Sequence, residues 1–208
     1  PWLDKTATAA LAVRAIVASA DDARAAVALF DRSARPPQVL EPRRGRTQLV
    51  LGRFGKAEFA GPPDALDDAL ARLLRSRRAV APGSFVFVIS DFLGTLSPAS
   101  RASLERVGAD VVPVIAQDPT WERSFPDVPG VLLPLVDVET GAVRPVRLTR
   151  RETRERRMAL ERRYTDLVER FRAAGMDPVT LGESSPEGVH RAFLAWAARR
   201  ARAQRGGR

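Results

Sequence analysis

The segment that most restricts the fold is Ser84–Ser90, SFVFVIS. A nearly uninterrupted run of β-branched and aromatic residues of this length suits a strand buried on both faces, as in parallel sheets. It closes on Asp91-Phe92-Leu93-Gly94; Pro98–Val107 then reads as a helix and Asp110–Ala116 (DVVPVIA) as the next strand. The same alternation runs upstream. Leu3–Ala20 is an Ala-rich helix broken at Asp21-Asp22, and Ala23–Phe30 is a short apolar run fit for a buried strand. Gln38-Val39-Leu40 follows Pro36-Pro37 as an edge-like strand, Glu41–Arg46 reads as a turn and Thr47–Phe54 as a short helix. Leu66, Ala69, Leu70, Leu73 and Leu74 mark one face of a further helix, with Asp64 at its N-cap after Pro62-Pro63. Repeated strand–loop–helix units predict an α/β fold, a mostly parallel sheet with helices on both faces.

The pattern changes after Gln117. Val131–Val138 and Ala142–Leu148 flank Glu139-Thr140-Gly141 and read as a β-hairpin, which Pro134 and Pro145 confine to an edge or an irregular ladder. Arg150–Ala174 is a long charged helix whose apolar side carries Met158, Leu160, Tyr164, Leu167, Val168 and Phe171, with Gly175 as its C-cap. Asp177–Leu181 is a last short strand. Pro186–Ala201 is a closing helix with Val189, Phe193, Trp196 and Ala197 on one side. The expected organisation is a single domain over residues 1–203, with 118–149 as a hairpin insert and 204–208 as a disordered basic tail.

Composition narrows the chemistry. The chain has 208 residues, 45% hydrophobic and 28% charged, which fits a globular protein. There is no Cys, which removes disulfides, thiolate metal sites and a Cys nucleophile, and one His, His190, which removes multi-histidine metal sites. The longest charge-free run, Ala79–Ser90, is 90 − 78 = 12 residues, against about 20 for a spanning helix. PWLDKTATAA is not a signal peptide, and a cytoplasmic location is expected. The net charge of +9 is unevenly placed. Pro1–Thr149 carries +2, Arg150–Arg172 +4, Ala173–His190 −3 and Arg191–Arg208 +6. Two late segments therefore hold the basic character, as solvated helix faces or as a surface for an acidic partner.

Asp91 is the first candidate site residue, because open α/β sheets bind ligands at the carboxyl ends of their strands. A carboxylate there can hold Mg²⁺ or a metal-bound water, or simply cap the turn. Asp64, Asp67 and Asp68 cluster at a helix start, where the helix dipole alone favours them. Thr95, Ser97, Ser100 and Ser103 have no paired orienting group nearby, and Gly-x-Ser-x-Gly, Walker A and Gly-x-Gly-x-x-Gly patterns are absent. His190 is expected to be a partly buried, satisfied imidazole. The basic end lacks aromatic residues beyond Trp196, which belongs to the core, and single-strand binding normally needs stacking platforms.

The run VALFDRSARPPQVLEPRRGRTQL, then DALDDALARLL, FVFVISDFL and GADVVPVIAQDPTWERSFPDVPGVLLPLVDVETGAVRPV resembles the carboxyl-terminal half of bacterial domain-of-unknown-function family fifty-eight. Ile89–Leu93 is similar to the family's fourth-strand signature, and Asp118-Pro119 with Asp137-x-Glu139-Thr140-Gly141 to its late insert. The resemblance implies a Rossmann-like, von Willebrand factor A-like fold acting as a non-catalytic interaction module. It implies a Mg²⁺-dependent adhesion site whose metal takes a partner's carboxylate, and a MoxR-type AAA+ ATPase as partner. Two features depart from the family pattern. No Asp-x-Ser-x-Ser loop precedes the first helix, so the first strand and the metal loop are expected upstream of residue 1. Pro62-Pro63-Asp64 stands where a Thr is expected. Asp91 is the one metal position carried over, so the site is expected to be degenerate.

The leading expectation is an adaptor without enzymatic activity that binds protein through Asp64, Asp91 and Phe92, with Mg²⁺ at Asp91. One alternative is a metal-dependent phosphatase or hydrolase using Asp91 with the Asp64–Asp68 cluster. The other is nucleic-acid binding by the basic C-terminal surface.

Overall fold

A computed structural model describes residues 2–31, 38–45, 47–54, 65–75, 80, 83–94, 97–106, 108–136 and 142–206. The chain divides into two compact units, residues 1–117 with 171–208, and residues 118–170.

The first unit opens with α1 (Lys5–Asp22). Its Ala-rich sequence favours helix, and Asp4 caps it by accepting the Ala7 N–H at 2.9 Å. Asp21 and Asp22 do not break the helix but form its last turn; the reversal falls at Arg24, whose φ of 52° is left-handed. Small buried residues (Thr8, Ala9, Ala12) with Val13 and Val17 make one close-packing face. β1 (Val27–Asp31) and β2 (Gln38–Arg43) follow, then α2 (Thr47–Phe54) and α3 (Ala65–Arg75). β2 continues through Glu41-Pro42-Arg43, which the sequence assigns to a turn.

β3 (Phe85–Ser90), α4 (Pro98–Arg106) and β4 (Asp110–Ala116) come next, and β7 (Val179–Leu181) and α6 (Pro186–Gly206) complete the unit. β3, β4 and β7 form a parallel sheet in that order, with Ile89 opposite Val114 and Ala116 opposite Leu181. β1 and β2 form a separate antiparallel pair, Leu29 opposite Leu40. Six residues lie between Asp31 and Gln38, too few for a parallel crossover. Mixed α/β architecture is thus present, but as a parallel sheet and a separate pair rather than one mostly parallel sheet.

The expectation of a doubly buried strand at Ser84–Ser90 is corrected. Phe85 is 53% exposed and Val88 alone in β3 is buried, whereas β4 is buried from Val111 to Ala116. The reason is pairing: β4 has a neighbour on each side, while β3 among the described residues has only β4. Val112 and Val114 pack with Ala12, Val179, Leu181 and Val189, and Phe193 and Trp196 of α6 close over them. Pro113 interrupts β4 just before the first residue paired with β7, Val114. Trp196 anchors α6 by donating its indole N–H to the Asp177 carbonyl at 3.0 Å. α6 continues to Gly206, so the expected tail is helical through residue 206. Ala201, Arg202, Ala203 and Gln204 are all good helix formers. Its Ala197 and His190 are exposed rather than buried.

The second unit contains the antiparallel pair β5 (Leu132–Val136) and β6 (Val143–Arg147) and most of α5 (Arg150–Ala173). Pro134 faces Pro145 across the pair, a tolerable arrangement where each strand has a single partner. The expected turn at 139–141 lies outside the described residues. Residues 118–128 are folded back on α5. Asp118 Oδ1 accepts the N–H groups of Thr120 and Trp121, Arg163 donates to the Glu122 carbonyl at 2.7 Å, and Arg157 to the Phe125 carbonyl at 2.9 Å. The Arg123 guanidinium lies 5.2 Å from the Tyr164 ring centre, and burial lowers its pKa. α5 begins in a capping box: Glu152 accepts the Thr149 N–H and hydroxyl at 2.7 Å each, and Thr149 accepts the Glu152 N–H at 3.2 Å. It ends at Gly175 (φ 77°), where Met176 donates its N–H to the Phe171 carbonyl at 2.9 Å.

Candidate functional site at the carboxyl edge of the parallel sheet

The carboxyl end of β3 continues into Asp91, whose side chain is 28% exposed. Asp91 Oδ2 accepts from the Lys5 ammonium at 2.8 Å, and Oδ1 accepts the Leu93 N–H at 3.3 Å. The second contact closes a short side-chain turn of the kind Asp favours at strand exits. Ser90 Oγ accepts the Phe92 N–H at 3.1 Å, and Phe92 takes a left-handed φ of 49°. That backbone turn points the Phe92 ring inward, 6% exposed and edge-on to Phe171 at 5.1 Å. Phe92, expected to contact a partner, thus lies buried in this structure.

Gln117 ties the edge together. At the end of β4 it is 1% exposed, and its Nε2 donates to the Asp91 carbonyl at 2.5 Å while its backbone N–H donates to the Leu181 carbonyl at 3.3 Å. The exits of β3, β4 and β7 are thus joined through one residue. Gln117 Oε1 is buried and has no hydrogen-bond partner among the described residues. The N-terminus of α1 is pinned at the loop after β7: the Asp4 N–H donates to Ser184 Oγ at 2.9 Å, and the Thr8 and Ser184 hydroxyls lie 3.0 Å apart. This anchorage puts Lys5 within reach of Asp91.

The described residues at this edge do not by themselves make a divalent-cation site. They offer one carboxylate, and that carboxylate already faces a fixed ammonium and a backbone N–H. Among the described residues no three His, Asp or Glu side chains converge to hold a metal. Asp64 lies outside the described residues. Asp67 and Asp68 stand in the first turn of α3, where Asp68 pairs with Arg72 at 3.3 Å and Asp67 Oδ1 is buried without a hydrogen-bond partner.

The family model described as "Protein of unknown function DUF58" matches residues 3–166. The chain belongs to this family. No curated protein and no solved structure matches it. In this DUF58 member the matched span covers β3, β4 and Gln117 and stops before β7 and α6.

Sequence reasoning placed Asp91 correctly at the strand exit but missed Lys5 and Gln117. Lys5 carries no motif, and its partner is 86 positions away. A signal for Gln117 did exist, since an amide directly after the apolar run VVPVIA must be either solvated or bonded. Among the described residues, no helix is long and apolar enough to cross a membrane.

Proposed function

We propose that the chain is a non-enzymatic protein-interaction module of von Willebrand factor A-like architecture, which engages its partner at the carboxyl edge of the parallel sheet. The observation that carries this reading is the Lys5–Asp91 pair, partly exposed and held rigidly by Gln117 and the α1 cap. Such a pair presents fixed charge of both signs at the edge where α/β sheets bind. The proposed partner is a MoxR-type AAA+ ATPase, as the family resemblance implies. The proposed adhesion site is degenerate: Lys5 supplies the positive charge beside Asp91, and a partner group would meet that pair rather than a metal.

The test is titration calorimetry with a purified MoxR-type AAA+ ATPase as the titrant. Asp91→Ala and Lys5→Ala should each weaken binding about tenfold or more, and EDTA should leave it unchanged. Unaltered affinity in Asp91→Ala would sink the reading.

A second reading is favoured by the end of α6, where residues 201–205 are exposed and include Arg202 and Arg205. Binding of an anionic polymer there would weaken steeply with salt. Arg199 and Arg200 are bonded to Asp177 and Asp110, so the truncation that tests it should begin at Ala201. The hydrolase reading has no such support, because Asp91 and Asp68 are each engaged by a basic side chain.

A further inference from the structure

The hairpin β5–β6 leaves one of its faces uncovered. Residues opposite each other in an antiparallel pair share a face. Leu132 with Arg147, Pro134 with Pro145, and Val136 with Val143 therefore mark one side, and Leu133 with Val146 the other. Leu133 and Val146 are half-buried. On the first side Leu132 is 58% and Val143 61% exposed, and both prolines between them are exposed. Neighbouring exposed apolar side chains rimmed by charge mark an interaction surface.

The register decides how that surface can be used. Proline has no N–H, so Pro134 and Pro145 can only form a non-hydrogen-bonded pair, in which the backbone groups point away from the partner strand. Each outer edge of the hairpin thus lacks its central N–H donor, and such edges resist strand addition. A ligand must meet the flat side. Two strands of five residues span about 17 by 10 Å, small against the roughly 800 Å² per partner of a stable interface between folded surfaces. The face suits a short segment.

Charge selects the segment. Arg147 is exposed at one end of the patch, and Arg150 and Arg154 are exposed on successive turns of one side of α5. Arg150 lies three residues past Arg147, no more than about 11 Å along the chain. Among the described residues, none of these three arginines has an ion-pair partner. The carboxylates beside them are engaged, Glu152 by Thr149 in the cap and Glu155 by Arg151 at 2.7 Å. We propose that the exposed face of β5–β6 binds an apolar, acidic segment of a partner protein. Its apolar side chains rest on Leu132, Pro134, Val143 and Pro145, and its Asp or Glu side chains meet Arg147, Arg150 and Arg154. A second copy of this chain is a poor occupant, because its net charge is +9. A membrane surface fits less well, because Trp121 and Tyr164 are engaged within the unit, against Phe125 and the Arg123 guanidinium, whereas interfacial surfaces rely on exposed aromatics.

The probe is a phage-displayed library of random peptides of about twelve residues, selected on the purified protein. Selected peptides should combine Asp or Glu with Leu, Ile, Val or Phe. Their synthetic forms should bind at least about tenfold more weakly to the double variant Leu132→Ser, Val143→Ser, and to Arg147→Glu. All three side chains are exposed, so these variants keep the parent melting temperature. Arg147→Glu combined with Arg150→Glu should bind the same peptides once their acidic residues are replaced by Lys, a reversal that misfolding cannot produce. No enrichment, a consensus without acidic residues, or affinities indifferent to the hairpin substitutions would overturn the proposal. So would self-association, or binding to phosphatidylserine vesicles, in place of peptide binding, if the double variant abolished it.

Discussion

Breaking the Lys5–Asp91 pair separates its two roles, ion pairing and turn closure. The ammonium and carboxylate are 2.8 Å apart, and the side chains are 23% and 28% exposed. Fully exposed pairs couple by roughly 0.2–1 kcal/mol, whereas removing one partner of a buried pair costs about 3–5 kcal/mol. At this intermediate burial a coupling of about 1 kcal/mol is expected. Lys5→Met keeps the aliphatic stem and removes the charge; Asp91→Asn keeps the oxygen that accepts the Leu93 N–H. Each single change should cost about 1 kcal/mol, and the double mutant should cost little more than either. Asp91→Ala also removes the turn-closing acceptor beneath the left-handed Phe92, adding about 1 kcal/mol for the lost hydrogen bond. Urea unfolding with unchanged m-values measures all four. Raising the salt should shrink the coupling but leave the Asn-to-Ala difference intact. A coupling under about 0.3 kcal/mol, or equal losses for Asp91→Asn and Asp91→Ala, would refute this division of roles.

Val114→Ala, at a fully buried position between β3 and β7, should destabilise by about 2 kcal/mol through lost burial and an unfilled cavity, read by the same unfolding curves. Gly175→Ala should cost about 1 kcal/mol. An added Cβ meets nothing within 4 Å, so the loss is purely that of a left-handed backbone, and a neutral result would contradict the φ of 77°. Thr149→Ala should lose about 1 kcal/mol and fray the first turn of α5, seen as faster amide exchange at residues 150–153. Hydrogen bonds from the Thr149 N–H and then its hydroxyl hold the Glu152 carboxyl below its ordinary pKa. The capping contribution is therefore complete above the unfolded carboxylate pKa and lost as pH falls through the depressed folded value. Glu152→Gln should abolish that acid dependence in an NMR pH titration.

Local pattern carried far in this chain, and its limits have physical causes. β4 and the starts of α4, α5 and α6 follow the sequence reading because each is set by a contiguous run or a cap: DVVPVIA, Pro98, the Thr149–Glu152 box, Pro186. What local pattern could not rank was burial. SFVFVIS is as apolar as DVVPVIA, yet Phe85 is half exposed and Ile115 fully buried, because burial depends on which strand acquires two neighbours. The arginines of α5 show the same limit from the polar side. By charge the segment reads as a basic helix, but Arg157 and Arg163 spend their donors on the carbonyls of Phe125 and Glu122. Charge counting therefore overstates the basic surface of this helix at these two positions, while Arg150, Arg154, Arg156 and Arg172 of α5 remain exposed, as do Arg202 and Arg205 of α6. The carboxyl edge follows the same logic. Asp91 was legible because a strand exit is a local feature, whereas its character as half of an ion pair depends on α1 being pinned to Ser184, a contact spanning nearly the whole chain. Asp91, read from sequence as a strand-exit carboxylate, gains its ammonium partner only when Lys5, 86 positions away, is placed beside it.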